Sequence, residues 1–151
     1  MDLMELNVAA HETAQFIVIQ LGEEQYGVDI KYIDNIVRMQ HITRVPKVTE
    51  YLKGVINLRG EVIPVMSVRL KMGLPVDEID KNTRIIILKL DTHGSIGIIV
   101  DQVKEVVTLE TDNIEKVSYD GKEDRINYIS GIGKYEGGLI SILDFSAVLA
   151  E

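Results

Sequence analysis

The same succession of apolar runs and turns occurs twice along this chain, and that repetition narrows the fold more than any other feature. Phe16–Leu21 (FIVIQL) is a short apolar run, Gly22-Glu23-Glu24 supplies a turn, and Tyr26–Ile30 is a second run. Together they make a hairpin signal. From Ile30 the spacing changes: Ile30, Ile33, Ile36 and Val37 fall at helical intervals, with Asp29 placed to cap the start. Further along, Ile85–Leu90 (IIILKL), the turn Asp91–Ser95 and the run Ile96–Val100 restate the hairpin, and Val100, Val103, Val106 and Val107 restate the helical spacing. This alignment sets Gly27 on Gly97, Ile17 on Ile87 and Val37 on Val107. A later stretch follows suit, with Tyr51-Leu52-Lys53-Gly54 on Tyr128-Ile129-Ser130-Gly131, Val62–Val65 on Leu139–Ile142, and the turn glycine Gly60 on Gly137. The reading is a twofold internal duplication rather than a solenoid array.

Runs such as FIVIQL and IIILKL are apolar on both faces, as expected of strands held between two layers. Pro46, Pro64 and Pro75 stand where they would end or edge an element. A mainly β protein of two small five-stranded barrels, closely packed or intertwined, with short helices at Val68–Met72 and Ser146–Leu149, satisfies this pattern. A single barrel of about 70 residues would be marginally stable, and pairing two buries their shared face. The expected units are residues 16–73 and 85–150 within one domain spanning 1–151, joined by a connector at about 74–84, around the stretch MGLPVDEIDKN (Met72–Asn82).

Composition excludes several classes of function. The formal net charge is −8, Lys and Arg are scattered, and there is no Trp, so neither a basic stripe nor a stacking platform for nucleic acid is present. The absence of cysteine rules out disulfides and thiolate metal sites. No apolar run approaches the roughly 20 residues that span a bilayer, so no direct membrane insertion is expected. The opening stretch MDLMELNVAAHETAQ carries Asp2, Glu5 and Glu12 without a basic cluster, unlike a secretory signal, and a cytoplasmic protein is the expectation.

A search for chemistry finds little. His11, His41 and His93 have no ligand spacing between them, and no metal is expected. Gly131-Ile132-Gly133 with Gly137 lacks the interval and the following helix of a phosphate loop. Asp77-Glu78-Ile79-Asp80 lacks the glycine of a calcium loop and reads as a solvated connector, as Glu23-Glu24 and Asp120–Asp124 read as solvated turns. Ser130 and Ser141 have no evident base, so no catalytic residue and no cofactor are expected. Binding is the favoured class. The rival is a barrel that holds a small ligand, or an enzyme whose site is assembled only in space.

One stretch stands apart. GVINLRGEVIPV, Gly54 to Val65, places Arg59 at the tip of a strongly apolar hairpin, and the counterpart of Arg59 in the second half is Glu136, of opposite charge. GVINLRGEVIPV followed by SVRLKMGLP, and preceded by YGVDIKYIDNIVRMQHITRVP, resembles the CheW-type chemotaxis adaptors over Phe16 to Leu149. The resemblance implies two SH3-like five-stranded barrels and a non-catalytic adaptor. Its partners would be the cytoplasmic coiled-coil tip of a chemoreceptor and the regulatory domain of a CheA-type histidine kinase, which shares the fold. It also implies a coupling role for Arg59 and for its neighbours in the motif, Gly54 and Leu58. Ile33, Asn35, Ile36 and Val37 become candidates for partner contact, taken as lying on a helical turn. Asn35 departs from the acidic residue usual in the family, and adjacent Asp34 would point elsewhere on a helix. Arg69 lies beyond the motif and is expected to matter less.

Overall fold

The computed structural model describes residues 12–91, 94–117 and 128–149. His11, His93, Asp2, Glu5 and the turn Asp120–Asp124 lie outside the described residues. The strands are β1 (Thr13–Leu21), β2 (Glu24–Asp29), β3 (Ile33–Arg38), β4 (Leu52–Leu58), β5 (Glu61–Ser67), β6 (Arg84–Leu90), β7 (Gly94–Val100), β8 (Gln102–Glu110), β9 (Glu115–Lys116), β10 (Ile129–Tyr135) and β11 (Gly138–Leu143). Two one-turn helices, α1 (Val68–Lys71) and α2 (Phe145–Val148), follow β5 and β11. Ser67 caps α1 by accepting from Leu70 N–H, and Asp144 caps α2 by accepting from Ser146 N–H.

The protein is mainly β, built as two interlocked SH3-like barrels. One sheet runs β8-β1-β2-β11-β10-β9 and the other β3-β6-β7-β5-β4. Sheet membership therefore does not follow residues 16–73 and 85–150. Each sheet takes a hairpin from one stretch, β1–β2 or β6–β7, and its remaining strands from the other. The link is a parallel pair in each case, β11 with β2 and β5 with β7.

The duplication is visible bond by bond. Gly54 pairs with Val65 just as Gly131 pairs with Ile142, and a bulge precedes each glycine. Ser67 N–H donates to the Tyr51 carbonyl at 2.7 Å, and Asp144 N–H donates to the Tyr128 carbonyl at 2.9 Å. Val37 lies opposite Ile85 and Val107 opposite Phe16. One correspondence shifts: Gly27 pairs with Val18 and Gly97 with Ile87, so the twin of Ile87 is Val18 and not Ile17. The cause is a longer turn, since Leu21 pairs with Glu24 but Leu90 pairs with Gly94.

The helical reading of Ile30–Val37 and Val100–Val107 is corrected. Only Ile30–Tyr32 is helical, a 3-10 turn on which Asp29 Oδ1 accepts from Lys31 N–H at 3.0 Å. Ile33–Val37 and Gln102–Val107 are strand, and Val100 ends β7 before a bend at Asp101. A bulge explains the misleading interval. Ile33 sits opposite Leu88 and Ile36 opposite Ile86, with Asp34 as the unpaired extra residue. In a regular strand, same-face residues are an even number apart; one bulged residue makes the interval three, which imitates a helix. Lys104 is skipped in the same way between Val103 and Glu105 in β8.

Among the described residues, three packed clusters form the core. The largest, including Ile19, Tyr26, Met66, Ile86, Leu88 and Phe145, draws on both sheets and both helices. Ile56, Ile63, Val65, Ile85, Ile87 and Ile99 fill one barrel, and Phe16, Val18, Leu109, Ile140 and Ile142 the other.

Candidate partner-binding surface

Register decides where the residues singled out above can act. Ile33 and Ile36 pack from β3 onto the large shared cluster, while Val37 turns the other way, onto the cluster inside the β3–β7 barrel. Leu58, at the end of β4, reaches that same barrel cluster from the opposite edge of the sheet. Ile33, Ile36, Val37 and Leu58 are all half-buried, and each divides its side chain between core and surface. Asn35 is half-buried opposite Ile87, and its Oδ1 accepts from Ile36 N–H at 2.9 Å, which stiffens the strand just after the bulge. Asp34, the bulge residue, is exposed on the free edge of β3.

Gly54 belongs to a different category. It is buried at φ +143°, and a Cβ there would stand 2.1 Å from the Thr43 carbonyl oxygen. Thr43 and Val55 exchange backbone hydrogen bonds of 2.8 Å, so the glycine lets two backbones meet. Gly54 offers a partner no surface; its part in the motif is to hold the hairpin in place.

Arg59 is exposed in the turn between Leu58 and Glu61, at φ +54°, followed by Gly60 at φ +82°. Two successive positive φ values define the tight hairpin turn that favours Asn-Gly or Gly-Gly. An arginine in the first position costs about 1 kcal/mol against glycine. Asn57 Oδ1 accepts from Gly60 N–H at 3.1 Å and braces the loop. Among the described residues the Arg59 guanidinium has neither hydrogen-bond nor ion-pair partner. Beside the tip, Val62 is 62% exposed.

Two features were missed in the sequence. Arg69 is not a bystander: its Nε donates to Asp101 Oδ1 at 2.8 Å, a second guanidinium nitrogen donates to Oδ2, and a third reaches the Pro75 carbonyl at 3.0 Å. Asp101 Oδ2 also accepts from Gly22 N–H, which ties α1 to the β7–β8 turn of the second repeat and, through it, to the β1–β2 turn of its own. Asp77 is likewise no solvated linker residue. It accepts a short hydrogen bond from Ser67 Oγ, and its other oxygen is buried without a partner. Burial raises the Asp77 carboxyl above its ordinary range, against the lowering pull of the Ser67 bond. Nothing in the residue pattern marked either pairing: Arg69 and Asp101 are far apart in the chain, and Ser67 meets Asp77 only because the segment after α1 folds back over it. Among the described residues no group of three or more His, Asp or Glu could hold a metal ion, and no helix is long and apolar enough to cross a membrane.

Comparison with known proteins agrees with this architecture. The CheW-like domain model matches residues 15–151. The chemotaxis protein CheW of Helicobacter pylori is 35% identical over 93% of this chain and 84% of its own length. That of Bacillus subtilis is 37% identical over 89% of this chain and 86% of its own. Among solved structures, the scaffolding protein CheW of Thermoanaerobacter tengcongensis superposes with a TM-score of 0.83 at 31% identity, covering 93% of this chain and 90% of that one.

Proposed function

Because this chain belongs to the CheW-like family and is a chemotaxis scaffolding protein, we propose that it works without catalysis as a coupler. Its partners would be the cytoplasmic coiled-coil tip of a chemoreceptor and the regulatory domain of a CheA-type histidine kinase, with Arg59 as the principal polar contact. The single observation that carries this reading is the backbone at Arg59. A long cationic side chain occupies a left-handed turn position where asparagine or glycine would fold more readily, and it has no partner among the described residues. Local strain retained at an exposed tip fits a residue kept for contact.

The surroundings support the assignment. A guanidinium forms paired, charge-assisted bonds to a carboxylate, and one held on a short turn loses little freedom on docking. Val62 supplies apolar surface beside it. The half-buried aliphatic row of Ile33 and Ile36 lies on a free sheet edge, where a receptor helix could pack its apolar face. Exposed Asp34 supplies an acidic group there, beside the position where Asn35 has none.

The turn geometry permits a test that separates folding from coupling. Arg59→Gly relieves the left-handed strain and should leave the protein at least as stable as the parent. Its affinity for the kinase regulatory domain or the receptor fragment should nevertheless fall well over tenfold, read by titration calorimetry. Unchanged affinity for both partners would remove Arg59 from the interface. Lost affinity accompanied by a lowered melting temperature would make the residue structural.

A further inference from the structure

The two repeats differ in what covers the foot of each barrel. Register pairs Ser67 with Asp144, Arg69 with Ser146 and Thr83 with Ala14. In the first repeat this region is roofed by the chain itself. Leu74 N–H donates to the Arg69 carbonyl, Arg69 donates to the Pro75 carbonyl, and Asp77 accepts from Ser67. Beneath that roof Ser67 and Thr83 are buried. In the second repeat the twin positions, among the described residues, line an open groove of about 830 Å³. Phe16, Tyr32, Ile142 and Phe145 line its floor, and Asp91, Lys116 and Asp144 are among its polar walls. Asp144 is only half-buried and Ser146 is exposed.

We propose that this open groove is a second docking site, independent of the Arg59 surface, for an extended segment of a partner protein. That segment would carry aliphatic side chains around a lysine or arginine. The covered repeat shows the pose: a Leu-Pro-Val-Asp stretch outside helix and strand, with its polar side chain set on the residue before the helix. The chemistry at that spot is inverted between the repeats. Ser67 is a donor and takes an acidic occupant, Asp77. Asp144 is an acceptor: its Oδ1 takes the N–H and hydroxyl of Ser146, and its Oδ2 has no partner among the described residues. Lys31 is already paired with Asp29 at 3.8 Å, which leaves Asp91 and Asp144 against Lys116. A basic residue therefore complements the groove. The chain's own residues 1–12 do not, because they hold Asp2, Glu5 and Glu12 and neither Lys nor Arg.

The test uses the full chain and two synthetic peptides, one copying Met72–Ile79 and the other carrying Asp77→Lys. Backbone amide shifts of Phe16, Ile142 and Ser146 report groove binding. The lysine peptide should bind about tenfold or more tightly than the parent peptide, as expected for one charge-assisted contact. Asp144→Asn keeps the helix cap and should erase that preference. Failure of the lysine peptide to shift these amides, equal binding of the two peptides, or a preference that survives Asp144→Asn overturns the proposal. So does a nitroxide on Leu3→Cys that broadens the groove amides of the free protein, since it would seat the chain's own N-terminal segment there. The chain has no native cysteine, so that label is unique.

Discussion

The β4–β5 and β10–β11 hairpins hold the same place in the repeat, share a bulge before an equivalent glycine, and each expose one large aliphatic residue, Val62 or Leu139, beside the turn. Their tips are nevertheless built differently. Arg59 and Gly60 both take positive φ, whereas in the second hairpin the positive φ falls on Gly138 and Glu136 has ordinary backbone. The second tip is also tied down: Tyr135 donates to Gln25 Oε1 at 3.1 Å and lies against Gly137. The twin of Tyr135 is Leu58, which makes no such bond. Two copies of one scaffold thus separate what the barrel needs from what has been added to it. The second tip is bonded to the neighbouring strand through Tyr135, whereas the first carries a left-handed arginine with no partner among the described residues.

The largest effect that could break the equivalence is expected at the paired glycines. Gly54→Ala drives a Cβ into the Thr43 carbonyl at a φ that L residues rarely adopt, and should cost roughly 3 kcal/mol or more. Gly131→Ala meets Ile114 Cγ2 at 2.8 Å and the Glu115 carbonyl at 3.0 Å, and should cost about 1–2 kcal/mol. Urea unfolding of both variants measures the difference; equal losses would show that the two crossings are equally tight.

Next comes the pair of residues after the helix caps. The Arg69 side chain is only 14% exposed in its bidentate pairing, and Arg69→Ala should cost about 2 kcal/mol by stranding Asp101. Its exposed twin gives the contrast, with Ser146→Ala expected to change stability by less than about 0.5 kcal/mol. A midpoint for Arg69→Ala as high as that for Ser146→Ala would reduce the Arg69–Asp101 pair to decoration. Smaller again are the tips themselves. Arg59→Gly should gain about 0.5–1 kcal/mol, and Glu136→Gly should lose about 0.5 kcal/mol, because only the first relieves a left-handed residue. Thermal melts that move both variants in one direction would erase the distinction between the tips.

The smallest expected effect concerns Asp77 and pH. Its carboxyl is raised by burial, so the native state favours the protonated form. The stabilisation from this group is present below the ordinary aspartate range, near about 3.9, and is lost as pH rises through the raised value. Asp77→Asn still accepts from Ser67 and has no charge to bury. Its stability should therefore improve relative to the parent between about pH 4 and pH 7. A constant difference across that range would show that the carboxylate is solvated after all.

Repeated local order was plain in the residues, and so was the hairpin tip. Turn glycines and runs such as FIVIQL and IIILKL report on neighbours close in sequence, and the correspondences of Gly27, Gly54, Gly60 and Val37 with their twins follow from them. What escaped was non-local or phase-shifted. The bulges at Asp34 and Lys104 turned a strand interval into a helical one. The exchange of β1–β2 for β6–β7 leaves no trace in a pattern that is the same in both halves. Arg69, Asp101, Asp77 and Ser67 look like ordinary surface residues until the chain folds them together. At the candidate surface, Arg59 and the aliphatics of β3 could be named, but the burial of Gly54 and the inward turn of Val37 needed the register.

The exchange of hairpins between sheets bears on what a single repeat could do. Residues of one stretch place β1–β2 in one sheet and β3, β4 and β5 in the other, so neither sheet is complete without strands from the second stretch. A solitary copy could close both sheets only by trading hairpins with another molecule, which makes its stability depend on protein concentration. Joining the copies through residues 74–84 turns that encounter into an event within one chain. The cost is kinetic: Phe16 must wait for Val107, far along the chain, before β1 is flanked on both sides, and pairings so distant slow folding.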